Sequence, residues 1–285
     1  MTTRRWIANH HTGGAEPTAP PVPNPTGKDR FMVNGTSGRL LGAVLFTTGV
    51  LASSTAVGTA AAQPATTLCD KYASTPVADG RYIVQNNVWG AETTQCLDVD
   101  GTSFTVTTAE HDRPTDGAPA AYPSVYLGCH YDNCTTGDSL PLRADRMGEV
   151  RTHWDITTPD AGTYNAAYDL WFDPVANQSG QNAAELMIWV DRRGDIQPIG
   201  SPVDTVTLDG TRWEVWTGGE GWNVISYVRA EPAESVDLDL SAFTADAVER
   251  GSVAPHWYLN SVQAGFEPWV GGAGLATNDF SVEIG

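Results

Sequence analysis

The chain has 285 residues and a formal net charge of −18 at pH 7, from 16 Lys and Arg against 34 Asp and Glu. The first 62 residues hold five of the basic and two of the acidic residues, which leaves residues 63–285 at −21. Such a surface repels nucleic acid and anionic membrane, so a neutral partner is expected and neither polynucleotide nor lipid.

Residues 1–31 are rich in Pro, Thr, Gly and Asn and show no apolar periodicity with which to build a core. Residues 32–62 read as a secretory signal peptide. Arg39 supplies positive charge, Leu40 to Leu51 form the apolar stretch, and Ala60-Ala61-Ala62 fits the small-residue cleavage rule. The stretch is too short and too rich in Ser and Thr to span a membrane. The leader ahead of it is long, so translation is expected to start at Met32, with residues 1–31 an over-extended reading frame; a genuine long leader is the other reading. Secretion follows from either. The remaining 223 residues suffice for one large β-domain.

Cys69, Cys96, Cys129 and Cys134 all follow the signal peptide, and an even count there implies two disulfides with three possible pairings. The pairing expected is Cys69–Cys96 with Cys129–Cys134, which ties an N-terminal segment (63–80) to the domain spanning 69–285. Cys129 to Cys134 as half of a metal site is the weaker reading, because no second ligand pair has zinc-like spacing. From Arg81 onward, short alternating segments are broken by turn signals. Asp100-Gly101 and Asp209-Gly210 are hairpin turns between β-formers. "YIVQNNVW", "VRTHWDIT", "TYNAAYDLWF", "AELMIWV", "NVISYVRA", "WYLNSVQAGFEPW" and "NDFSVEI" are further strands. One helix fits, with Leu240, Phe243 and Ala247 on one face, Ser241 as cap, Arg250 in the last turn and Gly251 as terminator. The fold class expected is all-β, a jelly-roll sandwich of two antiparallel sheets with one helix.

Strand side chains alternate between faces. That puts Glu185, Met187 and Trp189 opposite Leu186 and Ile188, and Asn165, Asp169 and Trp171 opposite Tyr164, Tyr168 and Leu170. Asn87 shares a face with Trp89, and Glu267 with Trp269. Four segments thus pair a carboxylate or amide with an indole. A solvent-facing sheet has little reason to do so, whereas a sugar cleft needs indoles for pyranose faces and polar groups for hydroxyls. The plainer readings are weighed beside this one. A glutamate in an apolar strand is more often at a strand end than catalytic, and Trp154, Trp213 and Trp257 are expected in the core. His111, His130, His153 and His256 have no metal-ligand spacing.

At "NNVWG", "YDLWF", "ELMIW", "GDIQPIG" and "QAGFEPW" the sequence resembles glycoside hydrolase family 12, secreted endo-β-1,4-glucanases, from about Cys69 to Gly285. The resemblance implies a jelly-roll with a substrate cleft across its concave sheet. It also singles out Glu185 as nucleophile and Glu267 as general acid/base, which composition does not. Asp169 matches an aspartate beside the nucleophile, expected to share a hydrogen bond with Glu185. Asn87 and Trp89 match sugar contacts, Met187 and Trp189 the cleft floor, and His130 a cleft-side histidine. Trp269 is expected on the sugar face beside Glu267. Tyr72 stands where some members carry a stacking tryptophan. The Cys69–Cys96 bridge agrees with the family. Two carboxyl groups about 5–5.5 Å apart give hydrolysis with retained configuration. The implied partner is a β-glucan; the protein is expected to act as a monomer with no metal or organic cofactor. Two rivals are a lectin-like jelly-roll and an acid protease with a glutamate pair. Within the hydrolase reading, xyloglucan or mixed-linkage glucan competes with cellulose, and residues 191–200 and 216–223 are expected to decide.

Overall fold

The computed structural model describes residues 65–285, so the expected signal peptide and the extension before it lie outside the described residues. In chain order the strands are β1 (Thr66–Leu68), β2 (Ser74–Val77), β3 (Tyr82–Gln85), β4 (Gln95–Asp100), β5 (Ser103–Asp112), β6 (Ser124–His130), β7 (Asn133–Cys134), β8 (Leu142–Arg143) and β9 (Val150–Thr157). They continue with β10 (Thr163–Asp173), β11 (Ala184–Arg193), β12 (Ser201–Leu208), β13 (Thr211–Gly219), β14 (Asn223–Arg229), β15 (Ser235–Asp239), β16 (Tyr258–Gly272) and β17 (Ala276–Ile284). Helix α1 (Leu240–Glu249) connects β15 to β16.

One layer has the order β2-β3-β6-β16-β10-β11-β14-β13-β12. The other runs β1-β4-β5-β17-β9-β15. The end of β5 also pairs with the end of β16, which joins the two layers along one side. Neighbours are antiparallel as expected, except β11 and β14, which run parallel. Residues 194–200 carry the chain across to the sheet edge. There β12 and β13 form a hairpin, and β14 returns between β13 and β11 in the direction of β11.

The core lies between the layers. Leu186 and Ile188 of β11, Tyr168 and Leu170 of β10, and Phe266 of β16 meet Trp154 of β9, Phe104 of β5 and Phe280 of β17. Edge-to-face pairs Trp154–Tyr168 (5.1 Å) and Phe104–Phe266 (6.0 Å) lock this contact. Trp154 and Trp213 are buried, and half-buried Trp257 packs on the same core, as read from the sequence.

Two local readings shift, the helix cap by two residues and one hairpin turn by one. Asp239, in extended conformation, caps α1 by accepting from the backbone N and hydroxyl of Ser241, so the cap precedes Ser241. Leu240, Phe243 and Ala247 are buried as expected, and Gly251 follows with φ +76°. Asp209 and Gly210 form the expected turn with φ +47° and +73°, the two positive values a type I′ turn needs. At the other hairpin Asp100 pairs with Ser103, so the turn is Gly101-Thr102.

Candidate active site

Strand β10 runs between β16 and β11 and organises the concave face. Its residues Tyr164, Ala166, Tyr168 and Leu170 enter the core, so Asn165, Ala167, Asp169 and Trp171 face the cleft. On β11 Leu186 and Ile188 are core, which turns Glu185, Met187 and Trp189 to the cleft side. On β16 Val262, Ala264 and Phe266 are core, so Gln263, Glu267 and Trp269 belong to the cleft-side face. Register then sets neighbours: Trp171 lies opposite Glu185, Asn165 opposite Glu267, and Asp169 opposite both Met187 and Gln263.

Three carboxyl groups meet in this face. Glu185 is 7% exposed, and its Oε2 accepts from Trp222 Nε1 at 2.9 Å. Burial pushes its pKa up to about 7, against the pull of that indole. Glu267 is half-buried; its Oε2 accepts from Asn165 Nδ2, and its backbone N donates back to Asn165 Oδ1 at 3.1 Å. Burial first, and then the charge of Glu185, push it up to about 8. Asp169 is raised well above the usual carboxylate range by burial and then by the charges of Glu185 and Glu267. Its Oδ1 is buried with no donor against it. The Tyr122 hydroxyl donates to the Ala167 carbonyl at 3.0 Å, and its interaction with Asp169 opposes that rise without cancelling it. The hydrogen bond on Glu185 therefore comes from Trp222 and not from Asp169, on which the charge of Glu185 acts.

The other expected residues are placed as follows. Asn87 and Trp89 do not continue β3: pairing ends at Gln85, and Asn87 turns the chain with φ +43°. The Asn87 carbonyl accepts from Tyr122 N at 2.9 Å, and Trp89 remains 39% exposed at the rim. Met187, Trp189 and Trp269 are buried in a cluster with Ala167, Ile196 and Val228. Residues 194–200 bring Ile196 over them, so Trp189 and Trp269, at 2% and 1% exposure, support the wall and offer no open face. His130 is half-buried and accepts from Gln263 Nε2 at 3.1 Å; burial holds its pKa down to about 4, so it is neutral. Tyr72 is 65% exposed on the N-terminal segment. The disulfides are Cys69–Cys96 and Cys129–Cys134, which occupies all four thiols.

Sequence reasoning passed over Trp222, Asn165 as a partner of Glu267, and Tyr122. Asn165 was visible as a cleft-face position through its period-two relation to Asp169. Trp222 lies in a glycine-rich connection with no period to place it.

A jelly-roll whose concave sheet sets the charge of one carboxyl group against a second suits a glycoside hydrolase, which needs one ionised and one protonated. Residues 80–285 match the family model of Glycosyl hydrolase family 12, and the chain belongs to that family. Among its relatives is the Mycobacterium tuberculosis protein named "Probable cellulase Cel12b", 36% identical over 52% of this chain and 99% of its own length. The Emericella nidulans "Xyloglucan-specific endo-beta-1,4-glucanase A" is 30% identical over 72% of this chain and 86% of its own. The structure of endoglucanase cel12A from Rhodothermus marinus superposes with a TM-score of 0.75 at 49% identity, covering 77% of this chain and 99% of that one. The protein is thus a glycoside hydrolase.

Proposed function

We propose that the protein is a secreted, monomeric endo-β-1,4-glucanase that cleaves internal bonds of unsubstituted β-glucan with retained configuration. The observation that carries this reading is the coupled pair Glu185 and Glu267, both raised, with Glu267 raised in part by the charge of Glu185. Trp222 favours the ionised form of Glu185, which suits attack on an anomeric carbon. Glu267 holds its proton longer, which suits donation to the leaving oxygen. Once Glu185 is esterified its charge is gone, the pressure on Glu267 falls, and Glu267 becomes the base that activates water. Asp169, whose pKa the charges of both glutamates raise, stands on the same face as Glu185. Two disulfides suit an oxidising, extracellular setting. Xyloglucan is the second reading, favoured by relatives that carry that specificity in their names. Product analysis on carboxymethylcellulose, lichenan and xyloglucan, with the anomer released followed by NMR, tests the proposal. Initial release of the α-anomer, or cleavage of xyloglucan alone, refutes it.

A further inference from the structure

The turn that carries Asn87 and Trp89 is held from behind by three buried polar side chains that no catalytic step uses. Asn86, Gln95 and His111 are 0%, 1% and 2% exposed. Asn86 Nδ2 donates to the carbonyls of Asp70 (3.1 Å) and Gln95 (2.9 Å). Gln95 Nε2 gives both its protons to Asn86, one to the backbone O at 3.0 Å and one to Oδ1 at 2.9 Å. Gln95 Oε1 is left as an acceptor, and His111 Nε2 lies 2.9 Å from it. The proton of a neutral His111 therefore sits on Nε2, and its Nδ1 accepts from the hydroxyl of Thr93, in the connection just past Trp89. The chain of bonds is closed, with donors and acceptors matched at both amides and the ring.

Burying three polar groups adds little to stability over apolar residues of the same shape, but a fully satisfied network fixes one geometry. What it fixes is the segment 86–93. Within that segment Val88 N donates to the Lys71 carbonyl at 2.8 Å and Gly90 N to Ala120 O at 2.8 Å. A side chain at position 90 would come within 2.0 Å of the Pro119 oxygen, so the rim is pressed against its neighbour. The exposed Lys71–Glu92 ion pair adds little.

We infer that Gln95 and His111 are positioning residues for glucan binding, acting through Asn86 and Thr93 on Asn87 and Trp89. The inference rests on the glucanase reading above. Their loss loosens a sugar contact remote from the cleaved bond, which weakens ground-state and transition-state binding alike.

The test compares wild type with His111→Phe, which keeps a ring and removes both bonds, and His111→Gln, which can donate to Gln95 and accept from Thr93. On cellohexaose, His111→Phe is expected to raise KM about tenfold with kcat within about twofold of wild type, and His111→Gln to restore KM. Unchanged KM in His111→Phe overturns the inference. So does a fall in kcat that follows the loss of thermal stability, which marks a structural role. Should His111→Phe not fold, Thr93→Val removes one bond of the same chain and is judged by the same split. A wild type that leaves cellohexaose uncleaved defeats the glucanase reading instead, so the two failures are distinct.

Discussion

Replacing Trp222 by Phe removes the indole N–H that donates to Oε2 of Glu185 and keeps a ring against Trp171. That N–H opposes the rise that burial imposes on Glu185. A hydrogen bond to a charged group is worth about 1.5–3 kcal/mol, and about 1.36 kcal/mol corresponds to one pKa unit, so Glu185 should titrate roughly one to two units higher. Glu185 must be ionised to attack. The acid limb of kcat/KM therefore moves to higher pH, and on that limb activity falls about tenfold per unit. Glu267 must keep its proton and loses it at about 8. A raised Glu185 meets or passes that value, so the correctly protonated fraction shrinks and the maximum falls too. The assay is the full pH profile of kcat/KM on soluble β-glucan for both proteins. An acid limb that stays in place beneath a uniformly lower plateau refutes the reasoning and leaves Trp222 as a sugar contact only.

Glu185→Gln and Glu267→Gln should each abolish turnover on glucan while circular dichroism stays native. Both carboxyls are raised in the fold, so the stability they contribute when protonated is lost as pH rises through their folded pKa values. Each Gln variant should gain melting temperature over wild type more at mildly alkaline than at acid pH, and an equal difference at both would count against the buried pair. Asn165→Ala removes a donor that lowers the pKa of Glu267, so the alkaline limb should move to higher pH; calorimetry-controlled kinetics check it. The Cys69–Cys96 bridge closes a separation of 27 residues and Cys129–Cys134 one of 5. Loop entropy puts their stabilisation at about 3.5 and about 2 kcal/mol, so denaturant titration of the paired Ser variants should find the first loss larger.

What was legible in the sequence is the work of alternation. β10, β11 and β16 each have one face in the core and one on the cleft, and these environments demand different residue types, so Leu186 and Ile188 separate from Glu185 even by eye. β6 escaped because six of its seven residues are buried, with no polar face to alternate with. "NNVW" alternates like a strand, yet Asn87 tolerates a positive φ and the chain leaves the sheet after Gln85. Choosing Glu185 and Glu267 among so many acidic residues came from the family's motifs, since charge count favours none of them.

Alternation assigns a face and is silent on what covers it. Trp89 and Trp269 satisfy the same period-two rule, but Ile196 arrives over Trp269 from a connection distant in sequence, and nothing in the described residues arrives to bury Trp89. The chemistry is no more local. The donor to Glu185 is 37 residues away and the donor to Glu267 is 102 away, so no sequence window holds a carboxyl together with the group that tunes it. The division of labour between the two glutamates is a property of register. Sliding β10 by one residue against β16 would turn Asn165 into the core and take from Glu267 the amide that opposes its rise, which would push its pKa higher still.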